Sequence, residues 1–237
     1  MSERKRRGCG PIALLIALVV VLGVLVGVDR VAIGQVETYV ARTLRTQLQL
    51  AEEPAVTIHG FPFLTQVARN RFDRVDLSGR DVPAGTPEQP LLVEQMDLQL
   101  GDVRTADRFQ RITAGDLSGS AYITWAEVAD QAGVPLRPEE GDRVRVDVTA
   151  NLYGQHVPFV VSARPVLDVA SQQVRLSEPQ LLVASYRVPD AVVQRIADET
   201  VPPIELSLPM GLSASDLRVG QEYLELDLSG TDVRLVG

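Results

Sequence analysis

Hydrophobic and polar positions divide the chain into three regions that differ in their periodicity. Residues 11–28 (PIALLIALVVVLGVLVGV) are apolar throughout and carry no charge. Residues 29–50 repeat an apolar residue at every fourth position, a pattern typical of an amphipathic helix; these residues are Ala32, Val36, Val40, Leu44 and Leu48. After Pro54 apolar and polar residues tend to alternate, which is the pattern of a β-strand. Residues 51–237 are therefore predicted to form one strand-rich domain.

The apolar run at residues 11–28 is long enough to cross a membrane. A spanning helix needs roughly 17–25 residues, whereas the apolar core of a signal peptide has roughly 7–15. Cleavage after Gly27 or Ala32 would place Leu25 or Arg30 where a signal peptidase needs a small residue. A retained signal-anchor is therefore favoured over a cleaved signal. The basic residues within positions 1–10 predict a cytoplasmic tail, with residues 29–237 outside the cytoplasm of a single-pass membrane protein.

The strand-rich region predicts an α+β fold with antiparallel strands and short helices. Strand patterns occur at residues 72–79, 91–100, 112–123, 143–149, 156–168, 173–184, 204–208, 214–219 and 222–236. One helix is predicted near residues 124–131, where Thr124 and Glu127 have the spacing of a capping box. Another is predicted near residues 189–199, capped by Asp190 and apolar on one face at Val192, Val193 and Ile196.

The tetrapeptide Asp-Leu-Ser-Gly occurs three times, at residues 76–79, 116–119 and 227–230. The spacings are unequal, which excludes a solenoid. Glycine inside a strand commonly marks a bulge or a close approach of two backbones. We therefore interpret the repeat as a sign of long, bent antiparallel strands, each of which bends at Ser-Gly and resumes. A binding tetrapeptide used three times is the less favoured alternative.

Residues 57–66 (TIHGFPFLTQ) place large apolar side chains around a turn, although loops usually carry polar residues. The pattern predicts a strand, a turn at Gly60 and a short helix with Pro62 in its first turn, where the missing N–H is harmless. Phe63, Leu64 and Val67 then share one side of this helix. Phe61, Phe63 and Leu64 are open to two interpretations: ordinary core residues, or contacts with a bound lipid.

Arginines follow this apolar cluster directly, at Arg69, Arg71 and Arg74. Arginine binds phosphate with two parallel hydrogen bonds. Apolar residues beside arginines, in a domain that is otherwise acidic, suit an amphiphile with an anionic headgroup. A further group could act in the same way and comprises Arg104, Arg108 and Arg111.

Composition and missing motifs exclude several functions. The net charge of −8 argues against nucleic acid as a partner, since proteins that bind polyanions normally carry a basic surface. The single cysteine, Cys9, allows no intrachain disulfide, and the two histidines, His59 and His156, do not have the spacing of a zinc site. Hydrolase, phosphate-loop and dinucleotide motifs are absent from the sequence. These observations predict a non-catalytic protein without a metal or other cofactor.

Two stretches resemble a known family. Residues 60–66 (GFPFLTQ) and 71–82 (RFDRVDLSGRDV), together with the basic N-terminus and the single apolar segment, are similar to the LmeA-like family of actinobacterial envelope proteins, which bind phospholipid. The resemblance covers the chain after about residue 30. It implies a periplasmic or cell-wall protein with a fold similar to tubular lipid-binding proteins, in which a long bent sheet is wrapped against helices. It implies no catalytic residues.

The resemblance and the residue pattern together predict a membrane-anchored, extracytoplasmic phospholipid-binding protein that supports cell-envelope lipid or lipoglycan metabolism. Its apolar groove is expected to contain Phe61, Phe63, Leu64, Val67, Val192, Val193 and Ile196. The lipid headgroup is expected to be anionic and to be bound by Arg69, Arg71 and Arg74. Two alternatives stay open: a non-catalytic scaffold for an envelope biosynthetic enzyme, in which the same apolar residues form a closed core, and an unrecognised envelope hydrolase that uses His59 or His156.

Overall fold

The computed structural model describes residues 10–85, 90–106, 111–152, 155–181, 203–208 and 211–236. Within these ranges the chain forms three helices and eleven strands. The helices are α1 (Gly10–Leu48), α2 (Phe63–Arg69) and α3 (Trp125–Ala132). The strands before α3 are β1 (Ala55–His59), β2 (Arg71–Gly85), β3 (Pro90–Ala106) and β4 (Arg111–Thr124). Those after it are β5 (Leu136–Glu139), β6 (Arg143–Leu152), β7 (Gln155–Asp168), β8 (Gln173–Leu181), β9 (Ile204–Glu205), β10 (Ser213–Val219) and β11 (Tyr223–Val236).

Two antiparallel sheets make up the strand-rich region. The first has six strands in the order β1-β2-β3-β4-β11-β10, and the second has five in the order β5-β6-β7-β8-β9. The chain builds β1 to β4 in sequence, crosses to the second sheet through α3, and returns so that β11 pairs with β4. The predicted α+β fold, with long antiparallel strands beside a few helices and an apolar N-terminal helix, is confirmed.

The first helix joins the apolar segment to the amphipathic stripe without a break. Its residues Ile33, Ala41 and Leu44 are buried in the core, and the predicted stripe residues Ala32, Val36, Val40 and Leu48 pack against the same core. Its Glu37 side chain accepts a hydrogen bond from the backbone N–H of Ile58 in the edge strand β1, at 2.8 Å. The second half of α1 therefore belongs to the folded domain.

Two local predictions need correction. Pro62 is the N-cap of α2 rather than a residue of its first turn. At α3 the Thr124 hydroxyl accepts from the backbone N–H of Glu127 at 3.3 Å, as expected of a capping box. The Glu127 carboxylate, however, accepts from the backbone N–H of Leu92 at 2.8 Å, because α3 lies across the start of β3. The predicted helix near residues 189–199 and the end of the strand predicted at 173–184 lie outside the described residues.

The three Asp-Leu-Ser-Gly copies lie inside β2, β4 and β11 of the six-stranded sheet. In the first and third copies an aspartate two residues after the glycine, Asp81 or Asp232, has a positive φ of about 50°. Burial then moves by one position along each strand, so that Val82 and Val233 face the core. The bend therefore occurs after the tetrapeptide, and the second copy, in β4, has no positive-φ residue following it.

Candidate functional site

A narrow apolar space, here called the inter-sheet gap, lies between the two sheets beside α3. Its free volume is about 620 Å³ when all space out to its open mouth is counted. The part wide enough for the centre of a water molecule is only about 50 Å³. The gap is lined by Leu91, Ile123, Trp125, Val128, Gln131, Leu136, Val144, Pro165, Val174, Arg175, Leu176, Ile204, Leu206 and Leu224.

Polar atoms around the inter-sheet gap are largely occupied. The Trp125 indole N–H donates to the carbonyl of Gly220 at 3.1 Å, and the Gln131 amide donates to the carbonyl of Pro90. Among the described residues of the lining, Arg175 alone is charged, and its exposed guanidinium lies 3.7 Å from the carboxylate of Asp168. The walls thus offer apolar contact, with a cation at the rim.

A second apolar space, the helix gap, lies between α1 and the inner face of the six-stranded sheet. It has a free volume of about 450 Å³ and is lined by Val36, Val40, Leu44, Val56, Ile58, Phe72, Val75, Leu77, Leu100, Val103, Thr105, Ile112 and Leu235. A further apolar space of about 380 Å³ shares Leu44 and Leu77 with it. Apolar spaces therefore follow the inner face of this sheet from α1 towards β3.

The structure separates the apolar residues predicted to bind lipid. Phe63 is only 1% exposed and its ring centroid lies 6.0 Å from that of Phe72, with the planes inclined at 34°. Val67 packs partly buried against the same core. Phe61 and Leu64, in contrast, are 59% and 42% exposed. Lipid contact by these four stays a prediction, and the other predicted residues, Val192, Val193 and Ile196, lie outside the described part of the chain.

Asp29 connects α1 to this region and was missed by the sequence analysis. Its side chain is almost fully buried, and its two carboxylate oxygens accept hydrogen bonds from the backbone N–H groups of Phe63 at 3.1 Å and Leu64 at 2.9 Å. It thereby serves the first turn of α2, which has no side-chain cap of its own. The sequence did contain an indication of this role, because Asp29 directly follows the apolar run. A carboxylate that is buried at such a position needs hydrogen-bond donors from elsewhere in the chain.

The predicted headgroup arginines differ in their surroundings. Arg74 makes two hydrogen bonds to Asp76, at 2.8 and 2.9 Å, and Arg71 lies 2.5 Å from a carboxylate oxygen of Asp102. Hydrogen bonding to Asp76 raises the pKa of Arg74, and the same bond is the main cause of the lowered pKa of Asp76. Arg69, exposed in the last turn of α2, has no ion pair with a described residue. Headgroup binding by all three stays a prediction.

His59, one of the two candidates for a hidden hydrolase, is held by a carboxylate. Its Nε2 atom lies 2.8 Å from Asp76, and that carboxylate is also held by Arg74. No side-chain hydroxyl is hydrogen-bonded to His59 among the described residues. The described residues also contain no cluster of three metal-ligating side chains. The side chain of His156 lies outside the described part of the chain.

The outer face of the six-stranded sheet forms a shallow polar cleft with a free volume of about 970 Å³, counted in the same way as for the apolar spaces. Its lining includes Asp76 and Ser78 from the first tetrapeptide copy and Ser118 from the second. Asp97 accepts from Ser78 and Gln95, both at 2.6 Å, so the side chains satisfy one another. The repeat therefore alternates polar groups on the outer face with leucines in the core, which favours the structural interpretation.

Comparison with families of known proteins gives one finding. Residues 27–229 match the family model described as LmeA-like phospholipid-binding. Neither a curated protein nor a solved structure gives a significant match to the chain. The matched range begins just before Asp29 and covers the second half of α1, the whole lining of the inter-sheet gap and both sheets as far as residue 229 in β11; Leu235, which lines the helix gap, lies beyond it.

Proposed function

The chain belongs to the LmeA-like phospholipid-binding family, and from that premise we propose that it is a membrane-anchored, extracytoplasmic protein that holds phospholipid acyl chains between its two sheets. The main observation for the position of this site is the inter-sheet gap, whose described lining residues are apolar except for Gln131 and Arg175. A site for acyl chains needs apolar length rather than reactive groups. We infer that the protein has a binding role and no catalytic one, supporting lipid or lipoglycan metabolism in the envelope.

The energetics are compatible with this role. Each methylene removed from water contributes about 0.8 kcal/mol, so one chain of ~16 carbons contributes on the order of 10 kcal/mol before other costs. Ordering the chain and separating the walls offset part of this gain. The walls have to separate, because little of the inter-sheet gap is wide enough for a water molecule. Of the described strands, the short edge strand β9, with Ile204 in the lining, pairs with its neighbour at the fewest positions, so its displacement breaks few strand hydrogen bonds.

Membrane anchoring is supported by α1. This helix contains a stretch that is long and apolar enough to cross a membrane, and its side chains between Leu18 and Val28 are exposed. Basic residues precede this stretch, which favours a cytoplasmic N-terminus and places the two sheets in the periplasm or cell wall.

An anionic lipid is favoured by the cations near the apolar spaces. Arg175 lies at the rim of the inter-sheet gap, and Arg69 lies exposed at the end of α2. Arg71 and Arg74 are nearby but already paired with Asp102 and Asp76. A headgroup phosphate would have to displace those carboxylates, so we expect Arg175 and Arg69 to contribute more to headgroup binding.

The test is native mass spectrometry of the full chain in detergent, followed by solvent extraction of bound lipid. The proposal expects a stoichiometric phospholipid, with occupancy lost in Ile204→Trp, because the indole fills the inter-sheet gap. Val166→Trp is the matched control, since Val166 is exposed on β7 and is not part of that lining. A wild-type chain that is purified without lipid and takes up no phospholipid from anionic vesicles would contradict the proposal and favour the scaffold alternative.

A further inference from the structure

Two exposed apolar side chains, Phe61 and Leu64, flank the buried Phe63 where the turn after β1 leads into the first turn of α2. The turn residues 60–65 (GFPFLT) are called the apolar tip. A single exposed apolar residue needs no explanation. Here a phenylalanine and a leucine are exposed within four positions, in a chain whose aromatic content is only 5%. The bound lipid of the proposed function does not account for them, because neither lines one of the apolar gaps.

The apolar tip is tied to the end of the membrane-length segment. Both oxygens of Asp29 accept backbone N–H groups from the tip, at Phe63 and Leu64. Asp29 directly follows Val28, which is exposed together with Leu25 on the preceding turn of α1. The tip therefore adjoins α1 at the level where the uninterrupted apolar segment, residues 11–28, ends.

We propose that the apolar tip docks into the outer surface of the bilayer that α1 crosses, with Phe61 and Leu64 among the lipid headgroups and upper acyl chains. This inference rests on the membrane anchoring in the proposed function. Amphipathic surfaces that lie in a membrane interface combine phenylalanine or leucine with basic residues. The basic residues here are Arg30, next to Asp29, and Arg69, at the end of α2, and both are exposed.

The burial of Asp29 fits the same position. A carboxylate at the boundary between the apolar segment and water is unfavourable close to lipid phosphates. Its hydrogen bonds to the tip, together with its 2% exposure, remove it from that surface. The side that faces the bilayer then presents apolar and positively charged groups.

Docking at this point also orients the domain. Phe63 contacts Phe72, and Phe72 lines the helix gap. The helix-gap end of the apolar interior, nearest to α1 and β1, then lies on the side of the domain that faces the bilayer.

The experiment measures the depth of a spin label on the full chain reconstituted into phosphatidylcholine vesicles, with and without phosphatidylglycerol. In a Cys9→Ser background, a nitroxide is attached at Leu64→Cys. Its collision rates with oxygen, which concentrates in lipid, and with a water-soluble nickel complex are compared. The matched control is Val169→Cys, because Val169 is similarly exposed but follows β7, far along the chain from the tip.

The proposal expects the label at position 64 to lose collisions with nickel and gain collisions with oxygen, while the label at position 169 stays in water. Adding Phe61→Asp should return the label at position 64 to water. Equal water access at the two positions, or no effect of Phe61→Asp, overturns the docking. Phospholipid that still co-purifies in either case leaves the proposed binding function standing, whereas a chain that fails to associate with vesicles at all contradicts the anchoring itself.

Discussion

Phe63 and Phe72 meet in the core with their ring centroids 6.0 Å apart, so the central phenylalanine of the turn at residues 60–65 is a structural residue. Replacing it with alanine is expected to cost about 3–5 kcal/mol of folding free energy, as for other large-to-small changes in cores. Phe61→Ala is the control, because Phe61 is exposed and its loss should change stability by about 0.5 kcal/mol or less. Denaturant unfolding of the full chain in detergent distinguishes the two. Equal effects would contradict this assignment.

Asp29 is expected to stabilise the start of α2 locally. In Asp29→Ala, two backbone N–H groups lose their acceptor, at a cost of about 1 kcal/mol, the usual magnitude for removal of a cap. Hydrogen exchange of the Phe63 and Leu64 amides should accelerate. Asp29→Asn retains one acceptor and should lie between alanine and wild type. Unchanged protection of both amides in Asp29→Ala would contradict the role given to this carboxylate.

Asp76 should make stability depend on pH in the acidic range. The hydrogen bond from Arg74 is the main cause of its lowered pKa. Because the pKa is lower in the folded state, the contribution of Asp76 is complete above the unfolded pKa of about 3.9 and is lost as the pH falls through the folded value. The difference in unfolding free energy between wild type and Asp76→Asn should therefore be present at neutral pH and disappear in acid.

The control substitution is Asp73→Asn, since Asp73 is exposed on the same strand, and an exposed substitution usually changes stability by about 0.5 kcal/mol or less. A difference between wild type and Asp76→Asn that stays constant into acid would contradict a stabilising contribution from the ionised Asp76 carboxylate.

Gly119 is expected to tolerate no side chain. A Cβ atom at this position would overlap the backbone carbonyl oxygen of Asp97 on the neighbouring strand and approach a methyl of Leu98. Gly119→Ala should therefore cost about 1–3 kcal/mol or more, as overpacking does. Gly34→Ala on α1 meets nothing within 4 Å and should be neutral or stabilising by up to about 1 kcal/mol. Thermal unfolding of both variants tests this contrast.

Much of the fold could be predicted from the sequence because it depends on local backbone geometry. Apolar residues at every fourth position from Ala32 to Leu48 define one face of α1. The alternation of apolar and polar residues defines the two faces of each strand. The cap of α3 at Thr124 is equally local, since donor and acceptor lie three residues apart. The repeated tetrapeptide indicated long strands with an irregularity, although the bend occurs two residues later, at Asp81 and Asp232.

What the tertiary structure decided depends on groups distant in sequence. Ser120 and Asp227 face each other across β4 and β11 although 107 residues separate them, and no local period specifies that pairing. The same holds for Asp29, whose donors lie 34 and 35 residues away. The sequence does not distinguish Phe61 from Phe63, yet Phe61 is exposed and Phe63 is buried. The difference arises because distant parts of the chain pack against Phe63 and not against Phe61.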